Sequence, residues 1–348
     1  MSDKKTFYTL AFESSCDETS VAVLEGGRTV KSNITASQID IHKRYGGVVP
    51  EIASRHHLEN INTVIDSALG EANIKLEDIN LIAVTYGPGL VGALLVGVAT
   101  AKAVAMSMNI PIVGVHHIEG HICANYIENH DLEPPFISLV VSGGHTNIVR
   151  VKSYTEYEIL GETRDDAVGE AYDKVARVLG LDYPGGPLLD KLAKEGDPDK
   201  VFFKRVMLEK DSSDFSFSGT KTGVLNYLNS EKIKGNKINK ADVAAGFQEA
   251  VVDVIVEKTM AALVRFKQEK VAIAGGVAAN SRLREKLEES CKKYGVKLYK
   301  PSPVYCTDNA AMIGVRGYYG YMKGEKSPLT LDAVANLKIG TKEEDCFI

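Results

Sequence analysis

Two stretches of this chain carry the same pattern, and that repetition limits the available folds more than any other feature. The first holds an apolar strand, Tyr8-Thr-Leu-Ala-Phe12, a turn of small and polar residues, Glu13-Ser-Ser-Cys-Asp-Glu-Thr-Ser20, and a second apolar run from Val21 to Leu24. The second holds Ile137-Ser-Leu-Val-Val141, then Ser142-Gly-Gly-His-Thr146, then Asn147 to Val151. One hairpin-led unit used twice predicts two α/β lobes facing each other across a cleft.

The remaining periodicities fill in the lobes. Ile52, His56, Ile61 and Ile65 predict a helix from Val49 or Pro50 to about Leu69. Ile79 to Thr85 reads as a buried strand ending in Gly87-Pro88-Gly89-Leu90-Val91-Gly92, a literal G-x-G-x-x-G. A dinucleotide site would also need an acid about 20 residues on, at the end of the next strand. That strand, Ile110 to Val115, ends in histidines, and Pro88 removes a backbone donor, so the glycines predict a tight strand-to-helix turn instead. The run Leu90 to Ala101 predicts a buried helix too short to span a bilayer before Lys102. Residues 163–240 have the look of an insertion, with a helix Ala167–Leu179 carrying Asp173 and another carrying Asp190. Ala241 to Lys267 predicts an amphipathic helix, Lys270 to Ala274 a short strand, and Val296 to Lys300 a last strand. The expected lobes are residues 1–130 and 131–307, with a C-terminal helix from about 308–340 returning to the first.

Charge and cysteines narrow the class. A net charge of −5 is no general signature of a nucleic-acid binder, so any RNA contact must come from local basic patches or from partners. Five cysteines without a C-x-x-C pair predict packed thiols in a reducing compartment. The first ten residues have no signal-peptide core, and a cytoplasmic protein without membrane contact is expected.

The chemistry concentrates in His116-His-Ile-Glu-Gly-His121. If a helix opens near Gly114, His117 and His121 share one face, with Cβ atoms ~5–6 Å apart. Two imidazoles so placed suit zinc or iron. In the H-E-x-x-H protease motif the acid directly follows the first histidine. Glu119 lies two residues on, about 200° round the helix from His117, and should face away from a metal-bound water. Three strand-to-turn elements, Glu13 to Ser15, Ser142 to Gly144 and Gly275-Gly276, offer successive N–H groups to an anion.

Together the ordered motifs Glu13-Ser-Ser-Cys-Asp-Glu-Thr-Ser20, His116 to His121, Val141-Ser-Gly-Gly-His-Thr146, Gly169-Glu-Ala-Tyr-Asp-Lys174, Tyr183-Pro-Gly-Gly186, Gly275-Gly-Val-Ala-Ala-Asn280 and Thr307-Asp-Asn309 resemble the bacterial-type tRNA N6-adenosine threonylcarbamoyltransferases. These were formerly described as O-sialoglycoprotein endopeptidases. The resemblance implies the actin, Hsp70 and sugar-kinase fold, with duplicated ribonuclease-H-like lobes and a helical insertion in the second. It implies transfer of threonylcarbamoyl from threonylcarbamoyl-adenylate to N6 of adenosine 37 in tRNAs reading codons that begin with A, with AMP released. By position, His117, His121 and Asp308 would ligate one divalent metal, iron or zinc. Val140, Val141, Ser142, Gly143, Gly144, Asp173, Gly186, Asp190 and Asn280 would line the donor pocket. Glu13 or Asp17 is the candidate to take the N6 proton or orient the amine. The implied partners are tRNA through its anticodon stem-loop, a paralogous actin-like subunit and a small ATPase. The rival readings are a metallopeptidase using His117 and His121, or an actin-like small-molecule kinase.

Overall fold

The computed structural model describes residues 6–207, 209 and 212–341, so Lys210 and Cys346 lie outside the described residues. It divides into two units, residues 1–134, 152–158 and 301–348, and residues 135–151 and 159–300.

The first unit is built on strands β1 (Tyr8–Glu13), β2 (Glu18–Glu25), β3 (Thr29–Ser37), β4 (Leu81–Gly87) and β5 (Ile112–His116), in the order β3-β2-β1-β4-β5. β1 pairs antiparallel with β2, and β2 with β3, while β1, β4 and β5 run parallel. Its helices are α1 (Ile39–His42), α2 (Pro50–Ala72), α3 (Val91–Met108), α4 (His117–Cys123) and α5 (Asn125–Glu128). The second unit repeats the plan with β6 (Phe136–Val141), β7 (Thr146–Ser153), β8 (Glu156–Glu162), β9 (Lys270–Ala274) and β10 (Lys297–Tyr299), in the order β10-β9-β6-β7-β8. Here β6 and β7 are the antiparallel hairpin, and β6, β9 and β10 run parallel. Its helices are α6 (Val168–Val178), α7 (Gly185–Ala193), α8 (Ser218–Ile233), α9 (Lys240–Arg265) and α10 (Ser281–Tyr294). The chain then returns to the first unit through α11 (Pro303–Cys306) and α12 (Ala310–Met322).

The repeated hairpins are present, and each gains a third strand that the apolar pattern does not reveal. β3 reads Thr-Val-Lys-Ser-Asn-Ile-Thr-Ala-Ser, half-exposed along its length, because an edge strand needs little apolar surface and gains by polarity. The opening turn is also shorter than expected: Thr19 and Ser20 are buried strand residues of β2. The buried stripe of α2 is Ala53, His57, Ile61, Val64 and Ala68, so Ile52, His56 and Ile65 flank it rather than form it. α3 passes Lys102 to reach Met108 and is long and apolar enough, by length and composition, to cross a membrane. It is not buried all round: it packs on β4 and β1 through residues such as Leu94, Gly97 and Ala101, while Val91, Leu95 and Met106 are exposed. α9 departs from the amphipathic expectation in the opposite sense, with Ala244, Ala245, Gly246, Phe247 and Gln248 consecutively buried.

The first unit's core lies between its sheet and α2 and α3, and is completed by Leu331 and Leu337 of the C-terminal segment. On the other side of that sheet, α12 crosses β1, β2 and β4 at very short range. A side chain at Gly314 would overlap Leu24, and one at Gly317 would overlap Ala83. The four cysteines among the described residues are free thiols.

Adding a methyl at this contact overpacks a close interface, so Gly317→Ala should cost about 1–3 kcal/mol. The test is the thermal denaturation midpoint, which should fall for Gly317→Ala and partly recover when Ala83→Gly is added.

Candidate metal centre

The residues that could hold a metal are set by the ends of three elements. β5 carries the chain to His116, whose Nδ1 accepts the Ile118 N–H at 3.1 Å and caps α4. Nε2 of the same ring lies 3.2 Å from the Leu337 carbonyl, which requires the proton on Nε2. The helix therefore begins at His117, not at Gly114, which is a strand residue. His117 and His121 fall one turn apart, with ring centroids 4.6 Å from each other. Asp308 arrives from the far end of the unit's chain. It is not a helix cap, because Asn309 takes that role by accepting the Met312 N–H at 3.1 Å. Ser20 Oγ and Asn33 Oδ1 accept the Ala310 and Ala311 N–H groups, which ties the start of α12 to β2 and β3.

One ligand atom from each of His117, His121 and Asp308 lies within 4.8 Å of the others. Asp308 Oδ1 is 3.5 Å from His117 Nε2 and 3.1 Å from His121 Nε2. His121 is 1% exposed, yet neither of its ring nitrogens makes a hydrogen bond among the described residues. A buried imidazole left unsatisfied beside a carboxylate and a second imidazole fits a metal ion, whose coordination would supply the missing partner.

Glu13 sits behind His117. Its Oε1 accepts the Ser15 N–H at 2.6 Å, and its Oε2 accepts the Thr85 hydroxyl at 2.5 Å and faces His117 Nδ1 at 3.1 Å. Burial alone would raise the Glu13 carboxyl, but the facing His117 charge and hydrogen bond hold it below its ordinary value. Burial alone would lower His117, but the Glu13 and Asp308 charges raise it to about 9. An ionised carboxylate only accepts, so Nδ1 of His117 keeps its proton and Nε2 is the atom presented to a metal. Asp17, 7% exposed, lies next to Glu18, whose carboxyl is raised by burial and then by the Asp17 and Asp308 charges. The Ser15 N–H, expected to face an external anion, is instead taken by Glu13, and Thr85 is a support that motif reading does not single out. The one signal for Thr85 is a hydroxyl inside the otherwise apolar strand Leu81-Ile-Ala-Val-Thr-Tyr-Gly87.

Glu119 points elsewhere: its Oε2 accepts Arg316 Nε at 2.7 Å, and both side chains are buried. It is no base for a metal-bound water.

In the second unit Ser142 to Gly144 follow β6 and Gly275 to Asn280 follow β9, while Asp173 lies on α6 and Gly186 and Asp190 lie on α7. Val140 and Val141 are wholly buried, Val140 paired with both β7 and β9 and Val141 with β7, so their side chains carry the turn rather than line it. Ser142 Oγ accepts the His145 N–H at 3.1 Å, and the space where side chains of Gly143 and Gly144 would stand is open. Gly275, at φ +88°, backs onto the Val141 carbonyl where a side chain could not fit. Asp173 Oδ1 accepts the N–H groups of Gly185 and Gly186 at 2.8 and 3.2 Å, so it holds the start of α7. Burial holds its carboxyl above the ordinary value, against the opposing pull of those two donors. Asp190 Oδ1 accepts the Ser281 hydroxyl at 2.8 Å. Asn280 caps α10 through Oδ1 and donates Nδ2 to Gln248 at 2.8 Å. Several basic residues of the second unit are neutralised inside it. Arg205 is bonded to Asp253, Arg282 to Glu249 and Glu285, and Lys286 to Glu249 and Asp253.

Two sheets of identical strand order, each led by a hairpin, place the protein in the actin-like ATPase class of folds. Solved structures of that kind agree. Full-length HypF in a phosphate- and nucleotide-bound form matches with TM-score 0.62 at 15% identity, over 92% of this chain and 56% of that one. Component A of (R)-2-hydroxyglutaryl-CoA dehydratase from Acidaminococcus fermentans matches with TM-score 0.53 at 16% identity, over 91% and 99%. A family model for tRNA N6-adenosine threonylcarbamoyltransferase matches residues 29–315. A protein of that name from Clostridium botulinum is 58% identical over 97% of this chain and 100% of its own length. One from Clostridium perfringens is 57% identical over 98% and 100%. The chain belongs to the tRNA N6-adenosine threonylcarbamoyltransferase family.

The raised His117 has a measurable consequence. Without metal, its charged form adds stability that is complete below about pH 6.5 and lost as pH rises through about 9. Thermal midpoints of the metal-free protein should therefore fall across that window, and Glu13→Gln should flatten the fall. A proton on Nε2 competes with a metal, so Zn²⁺ affinity by chelator competition should strengthen with pH up to about 9.

Proposed function

We propose that this chain transfers the threonylcarbamoyl group of threonylcarbamoyl-adenylate to N6 of adenosine 37 in tRNA, releasing AMP. The observation that supports it best is the convergence of His117, His121 and Asp308 in a chain matched along its length by transferases of that name. The comparisons do not support the two rivals. A protease reading also loses its base, because Glu119 is engaged with Arg316. No curated relative named above is a kinase.

His117 Nε2, His121 and Asp308 would hold one divalent ion, iron or zinc. When bound, it supplies a Lewis-acid centre able to hold phosphate or carbamoyl oxygen. The chain's own residues do the rest. Glu13 fixes the tautomer and direction of His117; with both oxygens engaged, it is poorly placed to accept a substrate proton. Asp17 is the acceptor we assign to the N6 proton. Backbone N–H groups of Gly143 and Gly144, whose surroundings are open, suit the donor's phosphate, and the open space at Gly276 leaves room for its flat base. Asp173, Asp190 and Asn280 act by fixing the helix starts that frame this pocket, with Gly186 at its edge.

Exposed Lys204, Lys232, Lys237 and Lys240 are the phosphate contacts we assign for tRNA. At a net charge of −5 the affinity should be modest and should weaken steeply with salt. A paralogous actin-like subunit and a small ATPase complete the working assembly. The exposed apolar residues Leu58, Val91, Leu95 and Met106 of α2 and α3 offer the paralogue a face. The setting is cytoplasmic.

The decisive assay mixes protein, partners, threonylcarbamoyl-adenylate and unmodified tRNA, then reads nucleosides by mass spectrometry. Threonylcarbamoyladenosine should form only with all components present; none formed with active partners would sink the proposal. Asp17→Asn should keep the metal and lose transfer by about 10²–10⁴-fold, the usual contribution of a proton acceptor. Glu13→Gln should lose metal affinity first.

A further inference from the structure

Three donors can converge within 4.8 Å only if α4 and α12 are held in one register. α4 is two turns long, too short to be stable by itself, so its orientation must come from what packs against it. The three residues between His117 and His121 each meet a specific neighbour. Ile118 is in the core. A side chain at Gly120 would stand 2.6 Å from Ile313 Cδ1 and 3.4 Å from Met312 Cγ, so α12 lies directly against the α4 backbone there. Glu119 takes the Arg316 Nε hydrogen bond at 2.7 Å. Arg316 is the one charged residue of α12, and its other arm donates from Nη1 and Nη2 to Glu325 at 2.8 and 3.4 Å. Gly320 leaves room for this arm: a side chain there would stand 2.6 Å from Arg316 Nη1.

We propose that Glu119 and Arg316 are positioning residues for the metal centre, locking the two-histidine helix to the helix that follows Asp308. The proposal rests on reading the His117, His121 and Asp308 cluster as a metal site. Apolar packing alone leaves a short helix able to slide or rotate by tenths of an ångström. The planar guanidinium, bonded through Nε to Glu119, sets both distance and angle between the two helices, while Glu325 satisfies its outer edge. A buried pair is a poor source of net stability compared with apolar residues of similar size, which makes a directional role the better account of it. Neither residue touches the metal or a substrate. Both act through the direction in which His117, His121 and Asp308 point.

The test uses the full chain and Zn²⁺ alone as probe. Affinity is read by chelator competition well below every variant's thermal midpoint, and the midpoint is read separately on metal-free protein. Wild type should take one Zn²⁺. Glu119→Gln should weaken it about 10- to 100-fold, the range typical when a residue orienting a ligand is lost. Glu325→Gln, which leaves the Glu119–Arg316 bond in place, should lower the midpoint while changing affinity by no more than about 3-fold, well short of that range. If Glu119→Gln does not fold, Arg316→Lys decides, since it keeps the charge and removes the fork; its affinity should also fall. Wild-type Zn²⁺ affinity in the folded Glu119→Gln or Arg316→Lys protein, with only the midpoint lowered, would overturn the proposal. A wild-type chain taking no Zn²⁺ would instead overturn the metal-site reading beneath it.

Discussion

A carboxylate with no access to water organises the first unit's site. Glu13 is 1% exposed and would be costly to bury as an isolated ion. Its charge is retained because Ser15, Thr85 and His117 all donate to it. Those three donors come from the hairpin turn, the neighbouring parallel strand and the histidine helix. The contact that satisfies the charge therefore also fixes where these parts meet. It turns His117 so that Nε2 faces Asp308, and the remaining donors follow from the helix repeat and from the caps on α4 and α12. Removing the carboxylate would leave a hydroxyl, an amide and an imidazole to find new partners at once.

The second unit uses the same sheet for different chemistry. Its leading strand ends at Val141, at the place of Glu13, and is followed by Ser142, Gly143 and Gly144 where the first unit has Ser14, Ser15 and Cys16. A valine stands at the place of the buried carboxylate, and the open backbone of Gly143 and Gly144 beyond it suits an anion arriving from outside. The acids there, Asp173 and Asp190, spend hydrogen bonds on helix starts. Under the proposed function, one architecture would offer a cation-binding end in the first unit and an anion-binding end in the second, according to the residues at the end of the leading strand.

Much of this was legible in the sequence, for physical reasons that differ by element. The hairpins and parallel strands declare themselves because buried strands must be apolar and their turns small. The proposed metal donors His117 and His121 declare themselves by helical spacing, with Asp308 reached only through family resemblance. The edge strands β3 and β8 were missed because half-exposed strands carry polar residues. α9 read as amphipathic because its small alanines and glycines do not show that both sides are covered. Glu13 was nominated as a proton acceptor because its motif is acidic and polar; nothing local announces that Thr85 and His117, far along the chain, enclose it. Arg316 did carry a signal: a lone charge in Ala-Ala-Met-Ile-Gly-Val-Arg-Gly demands a buried counter-ion. Its partner, Glu119, could be named only once the two helices were seen side by side.

The central claim is that His117, His121 and Asp308 together hold one metal ion. X-ray absorption on the zinc-loaded protein addresses it directly. The account predicts only nitrogen and oxygen donors, at about 2.0–2.2 Å, with a two-imidazole signature that disappears in a His117→Ala, His121→Ala protein. A sulfur shell at about 2.3 Å, or one full equivalent of zinc retained without both histidines, would contradict it.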